Sequence, residues 1–179
     1  MAAAKAPAGG RFFVAVLAAN PNALEACLDG VSRLWGEPDL KSDPIPFNFT
    51  RYYEKETGPE ILRSFLGFPG SFDPGLLAGR KVESNLLEAE LAAKLALPLP
   101  RPVNLDPGYL APAKLVLASA KDFYHRIYIG QGIYAEITLG YHNGGFHPFS
   151  WTFPDYASGV YDAFFLKLRK LLMRELRAP

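Results

Sequence analysis

Positions 12–19 are apolar without interruption, and a run of that length predicts a buried strand near the centre of a sheet. Asn20-Pro21 follows as a helix start, with Asn as cap and Pro at the first helical position. Leu24, Cys27, Leu28, Val31, Leu34 and Trp35 recur at helical spacing until Gly36. Residues 44–49 are extended, and Pro46 places them at a sheet edge. Residues 50–58 read as an amphipathic connector; the other reading has Tyr52, Tyr53, Glu54 and Glu56 lining a pocket. Ile61, Leu62, Phe65 and Leu66 predict a short helix over residues 59–68, and GFPGSFDPGLLAG after it predicts a mobile loop. A short strand over 80–85 and a helix over 86–97 come next.

The second half is strand-like. Residues 102–141 predict a β-meander, with Asp106-Pro107-Gly108 as a type II turn and a strand over 114–120. Gly130-Gln131-Gly132 separates two segments rich in β-branched and aromatic residues, 124–129 and 133–141, so a tight hairpin is expected. Its register sets Ile129 opposite Ile133, Ile127 opposite Ala135 and His125 opposite Ile137 on an apolar face. Tyr128 with Tyr134 and Arg126 with Glu136 fall on the other face, because side chains alternate. A glycine-rich loop spans 141–148. Asp155 or Ser158 then caps a last helix with the stripe Tyr161, Phe164, Phe165, Leu168, Leu172 and Leu176. The whole pattern implies an α+β fold: a mostly antiparallel sheet with helices packed on one face, ferredoxin-like in part. Residues 1–10 read as a flexible tail and 11–179 as a single domain.

Composition narrows the function classes. Basic and acidic residues number 19 and 18, for a net charge of +1, which argues against nucleic acid as a partner. The bunching of Lys167, Arg169, Lys170, Arg174 and Arg177 reads as a solvated helix end. One cysteine excludes an internal disulfide and a thiolate zinc site, and fits a cytoplasmic location. The eight-residue run at 12–19 is far short of the about 20 residues that span a bilayer, so no membrane association is expected.

The strings FNFTRYYEKETG, VNLDPGYLAPAKLVLASAKDFYHRIYIGQGIYAEITL and TFPDYASGVYDAFF resemble a bacterial family catalogued as domain of unknown function 4416, over nearly all of residues 12–172. Thr57 departs from the methionine expected in that family. The resemblance implies a small soluble bacterial protein and implies no reaction. Some relatives carry a GTP-binding label, but no GxxxxGK[ST] loop occurs here to support it.

No nucleophile elbow or Ser-His-Asp set is present. GYHNGGFH is glycine-rich but opens no helix, and His142, His147 and Asp155 match no standard metal spacing, so no metal site is assigned. The densest polar constellation lies on the predicted meander. Arg126, Lys121, Asn104, Asp106 and Tyr109 are candidate ligand-binding residues, and His125, Asp122 and Glu136 candidate catalytic ones. The leading expectation is a binder of a small anionic ligand, a nucleotide or phosphorylated metabolite, beside the C-terminal strands. A hydrolase- or lyase-type enzyme using His125 with Asp122 or Glu136 is the alternative. A protein-interaction module using Tyr52, Tyr53, Phe72 or Trp151 is the second alternative. The sequence names no cofactor and leaves the oligomeric state open.

Overall fold

The computed structural model describes residues 3–50 and 53–177. Nine strands form one sheet among them: β1 (Arg11–Ala18), β2 (Leu40–Lys41), β3 (Ile45–Pro46), β4 (Leu62–Gly67), β5 (Val103–Ala111), β6 (Lys114–Ser119), β7 (Ile127–Gly130), β8 (Ile133–His142) and β9 (Gly145–Pro148). The helices are α1 (Pro21–Trp35), α2 (Glu54–Thr57), α3 (Leu77–Leu95), α4 (Pro154–Ala157) and α5 (Asp162–Glu175). The strand order is β2-β4-β1-β5-β6-β8-β7, with β3 also on β4 and β9 also on β8. Every pairing is antiparallel, so the architecture is α+β. Because β1 runs antiparallel to both neighbours, the parallel crossover of a ferredoxin-like unit is absent.

β1 is the central strand and is buried from end to end. Its alternating side chains supply two cores. Phe12, Val14, Val16 and Ala18 meet Leu24, Cys27 and Val31 of α1 and Leu77, Leu87 and Leu91 of α3. Phe13 and Ala15 meet Phe164, Phe165, Leu168 and Leu172 of α5. Helices therefore cover both faces, where the sequence pattern suggested one. Each fully buried large side chain contributes about 1.5–3 kcal/mol, so both layers hold the sheet. Arg11, buried at the start of β1, is tied to Asp39 and to Glu175 at the end of α5. Asn20 caps α1 through Ala23 N, 2.9 Å away, as its sequence predicts. Cys27 is a core thiol, pushed up to about 12 by burial and then by Glu88.

Three segments differ from their sequence expectation. Residues 62–67 form β4 rather than a helix, because Arg63 and Phe65 face one layer and Leu66 the other. A strand covered on both faces has no alternation to betray it. Residues 80–85 lie inside α3, continuous with the Ala/Leu/Glu-rich stretch that follows. Asp106-Pro107-Gly108 is no turn; it runs through the middle of β5.

That last segment opens the sheet. β5 pairs with β1 along eight residues, but its ladder to β6 begins only at Gly108. Pro107 has no N–H to offer β6. On the free edge, α3 side chains stand in for the missing strand. Lys81 Nζ donates to Leu105 O at 2.7 Å, and Leu105 N donates to Glu88 Oε1 at 2.8 Å. Ser84 Oγ donates to Lys81 O at 2.8 Å and to Leu105 O at 3.4 Å.

Gly108 sits where the ladder resumes. A Cβ there would lie 2.5 Å from Val116 O and 2.7 Å from Phe13 Cζ. Gly108→Ala should therefore destabilise the fold by about 1–3 kcal/mol or more, through overpacking against backbone. Urea denaturation checks this; a loss under 0.5 kcal/mol, the scale of an ordinary surface change, would contradict it.

The C-terminal strands do not form a simple meander. β8, not β7, lies beside β6, and β7 lies beyond β8. Residues 120–126 must therefore cross β8 to reach β7. The hairpin register keeps Ile127 opposite Ala135 and Tyr128 opposite Tyr134, but a bulge sets Gly130, not Ile129, opposite Ile133. Ile127, Ile129 and Ile137 are exposed rather than core. The glycine-rich loop is a tight β8–β9 turn in which Asn143 and Gly144 both have positive φ, the pattern of an Asn-Gly hairpin. α4 and α5 start without a side-chain cap; Ser158 Oγ instead bonds Asp155 O. No helix among the described residues is long and apolar enough to cross a membrane.

Candidate functional site

The opening between β5 and β6 is the floor of a cavity of about 530 Å³. Its walls come from β4, β5, β6, β8, α3, the segment around Tyr53 and the start of α4. The lining carries five cationic side chains, Arg63, Lys81, Arg101, Lys121 and Arg126, against three carboxylates, Asp106, Glu136 and Asp155. Six rings complete it: Phe47, Phe49, Tyr53, Phe123, Phe153 and Tyr156.

Arg63 is the least ordinary of these groups. It alternates on β4 with Phe65, so its guanidinium points into the layer beneath α5 and is buried. Nη2 donates to Asp155 Oδ2 at 3.2 Å, and Asp155 also accepts from Tyr161 OH at 3.1 Å. Nε and Nη1 have no acceptor among the described residues. The rings of Phe47, Phe65 and Tyr156 lie 5.2, 5.8 and 6.0 Å from Cζ and supply cation–π attraction in place of hydrogen bonds. Tyr156 OH is likewise buried without a hydrogen-bond partner among the described residues. Burial pushes the Tyr53 hydroxyl up to about 12 and raises those of Tyr156 and Tyr161 further, so all three are neutral; Tyr161 already gives its proton to Asp155.

Beside Arg63 lies a bonded network at the open edge of β5. Asn104 Nδ2 donates to Asp106 Oδ2 at 2.6 Å, and Lys81 Nζ reaches Asp106 Oδ1 at 3.3 Å. Glu88 takes two bonds from Arg101, at 2.8 and 3.1 Å. Burial would raise the Asp106 carboxyl, but Lys81, Arg63, the Asn104 hydrogen bond and Arg101 outweigh it and hold it below the ordinary carboxylate value. Asp106 is therefore charged, and the cations around it are largely balanced.

The third polar group follows from the crossing of residues 120–126 over β8. Glu136 points from β8 toward the crossing segment. Its Oε2 accepts from Arg126 Nε at 2.7 Å and lies 3.1 Å from His125 Nε2, while Oε1 accepts from Thr138 at 3.2 Å. Arg126 Nη1 donates to Ser119 Oγ and to Lys121 O, at 2.7 and 2.9 Å. Strand alternation had put His125 on the opposite face from Arg126. β7 begins only at Ile127, so alternation does not reach either residue, and both turn to the same carboxylate.

The sequence candidates separate accordingly. Asn104, Asp106, Lys121, Arg126 and Glu136 line the cavity. His125 does not; its ring is stacked between Phe123 and Trp151 behind Glu136. Asp122 is exposed and does not line the cavity. Tyr109 is on the other face of β5, against Phe72 and opposite Phe12. Tyr53 lines the cavity as the pocket reading of its segment had it, whereas Tyr52 lies outside the described residues. The His142 and His147 rings stack on each other at 3.7 Å, and Asp155 is engaged by Arg63. Among the described residues no group of three or more His, Cys, Asp and Glu converges.

Arg63, Lys81 and Arg101 were missed. A signal for the first is present in Ile61-Leu62-Arg63-Ser64-Phe65, where one cation alternates between apolar residues. For the second it is Leu77, Lys81, Ser84, Glu88 and Leu91, a helical stripe whose centre is polar.

Comparison with curated proteins and with solved structures gives no match. A family model does match residues 8–172, nearly the whole chain, and the chain thus belongs to the family described as Domain of unknown function (DUF4416).

Proposed function

We propose that this protein binds a small organic anion, a nucleotide or phosphorylated metabolite, in the cavity between β5 and β6. The observation that carries the reading is Arg63: a buried guanidinium at the cavity wall with two of its three nitrogens lacking an acceptor among the described residues. An unpaired buried donor costs about 1–3 kcal/mol, more when charged, and an incoming oxyanion offsets that cost. Arg126 adds a second cation to the lining, and its remaining nitrogen, Nη2, has no hydrogen bond among the described residues. The lining rings offer flat surfaces for an apolar or heterocyclic part of the ligand. The hydrolase or lyase reading draws less support, since His125 is stacked outside the cavity and Asp122 does not line it.

A thermal-shift screen of nucleotides, phosphorylated sugars and dicarboxylates tests the reading. A ligand present at about 100 times its Kd adds about 2.7 kcal/mol, which for a chain of this size raises Tm by roughly 5–10 °C. A positive compound should lose its effect in Arg126→Gln. A screen in which no anion raises Tm would contradict the proposal.

A further inference from the structure

The cations of the cavity wall stand against carboxylates. Arg63 lies 3.2 Å from Asp155, Lys81 3.3 Å from Asp106, Arg101 2.8 Å from Glu88 and Arg126 2.7 Å from Glu136. Lys121, the fifth cation, is exposed, and water screens the charge it presents. Glu56 of α2 adds its negative field at Arg101. Five cations thus meet four carboxylates, counting Glu88 with the three of the lining, and the surplus among the described residues is one positive charge at most. What the wall offers in quantity is donors. Arg63 Nε and Nη1 and the Tyr156 hydroxyl are buried with no hydrogen-bond partner among the described residues, and Arg126 Nη2 has none there either.

A site rich in donors and poor in net charge favours many acceptor oxygens over many charges. An anion with two charges would set its second beside Asp155 and Asp106, beyond what the cationic surplus balances, and the burial of Arg63 and Asp155 weakens screening there. We infer that the cavity selects an organic anion with one negative charge shared over two terminal oxygens, and discriminates against dianions. Carboxylates and phosphodiesters have that chemistry. The inference rests on the reading that an anion enters this cavity, and it narrows the class. The six rings of the lining take the flat part of the molecule. A phosphate monoester, whose second ionisation falls at about pH 6, enters only after taking up a proton.

Titration calorimetry of the full chain with two matched pairs tests this. At about pH 8, adenosine 3′,5′-cyclic monophosphate should bind about tenfold or more tighter than adenosine 5′-monophosphate, and 2-naphthoate should likewise exceed 2,6-naphthalenedicarboxylate. The pair that binds tells phosphodiester from carboxylate as the source of the charge. At about pH 5 the open monoester should come within about threefold of the cyclic one, whose own charge is constant and so reports any titration of the protein. Asp106→Asn removes one carboxylate of the wall at constant shape and should narrow the preference at about pH 8 by about fivefold. A dianion that binds as tightly as its singly charged counterpart overturns the inference and leaves the anion reading standing, as does a preference that Asp106→Asn leaves unchanged. If none of the four compounds binds, the inference falls, and the anion reading stands only if the thermal-shift screen yields a ligand.

Discussion

Arg63→Met should abolish binding of any anion that stabilises the wild type, and should itself cost about 3–5 kcal/mol of stability. That is the range seen when one member of a buried ion pair is removed and the other left charged. The side chains of Arg63 and Asp155 are each 5% exposed, so Asp155 would keep the Tyr161 hydroxyl as a partner but no countercharge. Arg63→Met with Asp155→Leu separates the two roles. Removing both charges leaves an apolar pair among Phe47, Phe65 and Tyr156, and most of the lost stability should return. Binding should not return. Equilibrium urea denaturation reads the first effect through the midpoint at constant slope, and titration calorimetry reads the second. A double variant that binds as the wild type does would show that Arg63 serves only the fold.

Glu88→Ala should be the most damaging change on α3. Its carboxylate accepts from Leu105 N and from Arg101, and lies 3.7 Å from Lys81 Nζ. Alanine leaves an orphaned strand N–H, worth about 1–3 kcal/mol, and a buried lysine with less countercharge. The total loss should be about 3–5 kcal/mol. Hydrogen exchange localises it: the Leu105 amide, protected by a side chain rather than by a strand, should exchange at least tenfold faster relative to neighbours bonded to β1. Glu88→Gln keeps an acceptor for that amide and should protect it while losing part of the stability. Unchanged exchange at Leu105 in Glu88→Ala would mean that α3 does not complete the edge of β5.

Much of the fold is legible in the sequence where a single face is buried. The Asn20-Pro21 start of α1 and the stripe of α5 read correctly because each has its own periodicity or cap chemistry, and the reversal after β7 was found in the right place but one residue too long. β4 and the first half of α3 did not, since an element buried on two sides, or polar along its buried stripe, imitates something else. The site was half legible. Arg126 and Glu136 were paired by counting alternate residues, and they do pair, although Arg126 reaches Glu136 from the crossing segment rather than from a strand. That crossing depends on β8 inserting between β6 and β7, a matter of strand order that no local pattern records. For the same reason the approach of Arg63 to the cavity was hidden: β4 and β5 are distant in sequence and meet the site only through β1.

The central claim is that an anion is held inside the cavity at Arg63, not along the basic end of α5. Arginine Nε–H resonances of the 15N-labelled protein distinguish the two. Titration with the anion that raises Tm should move the Arg63 and Arg126 signals together and leave Arg169 and Arg174 in place. Shifts confined to Arg169 and Arg174, with Arg63 unmoved at saturation, would contradict it.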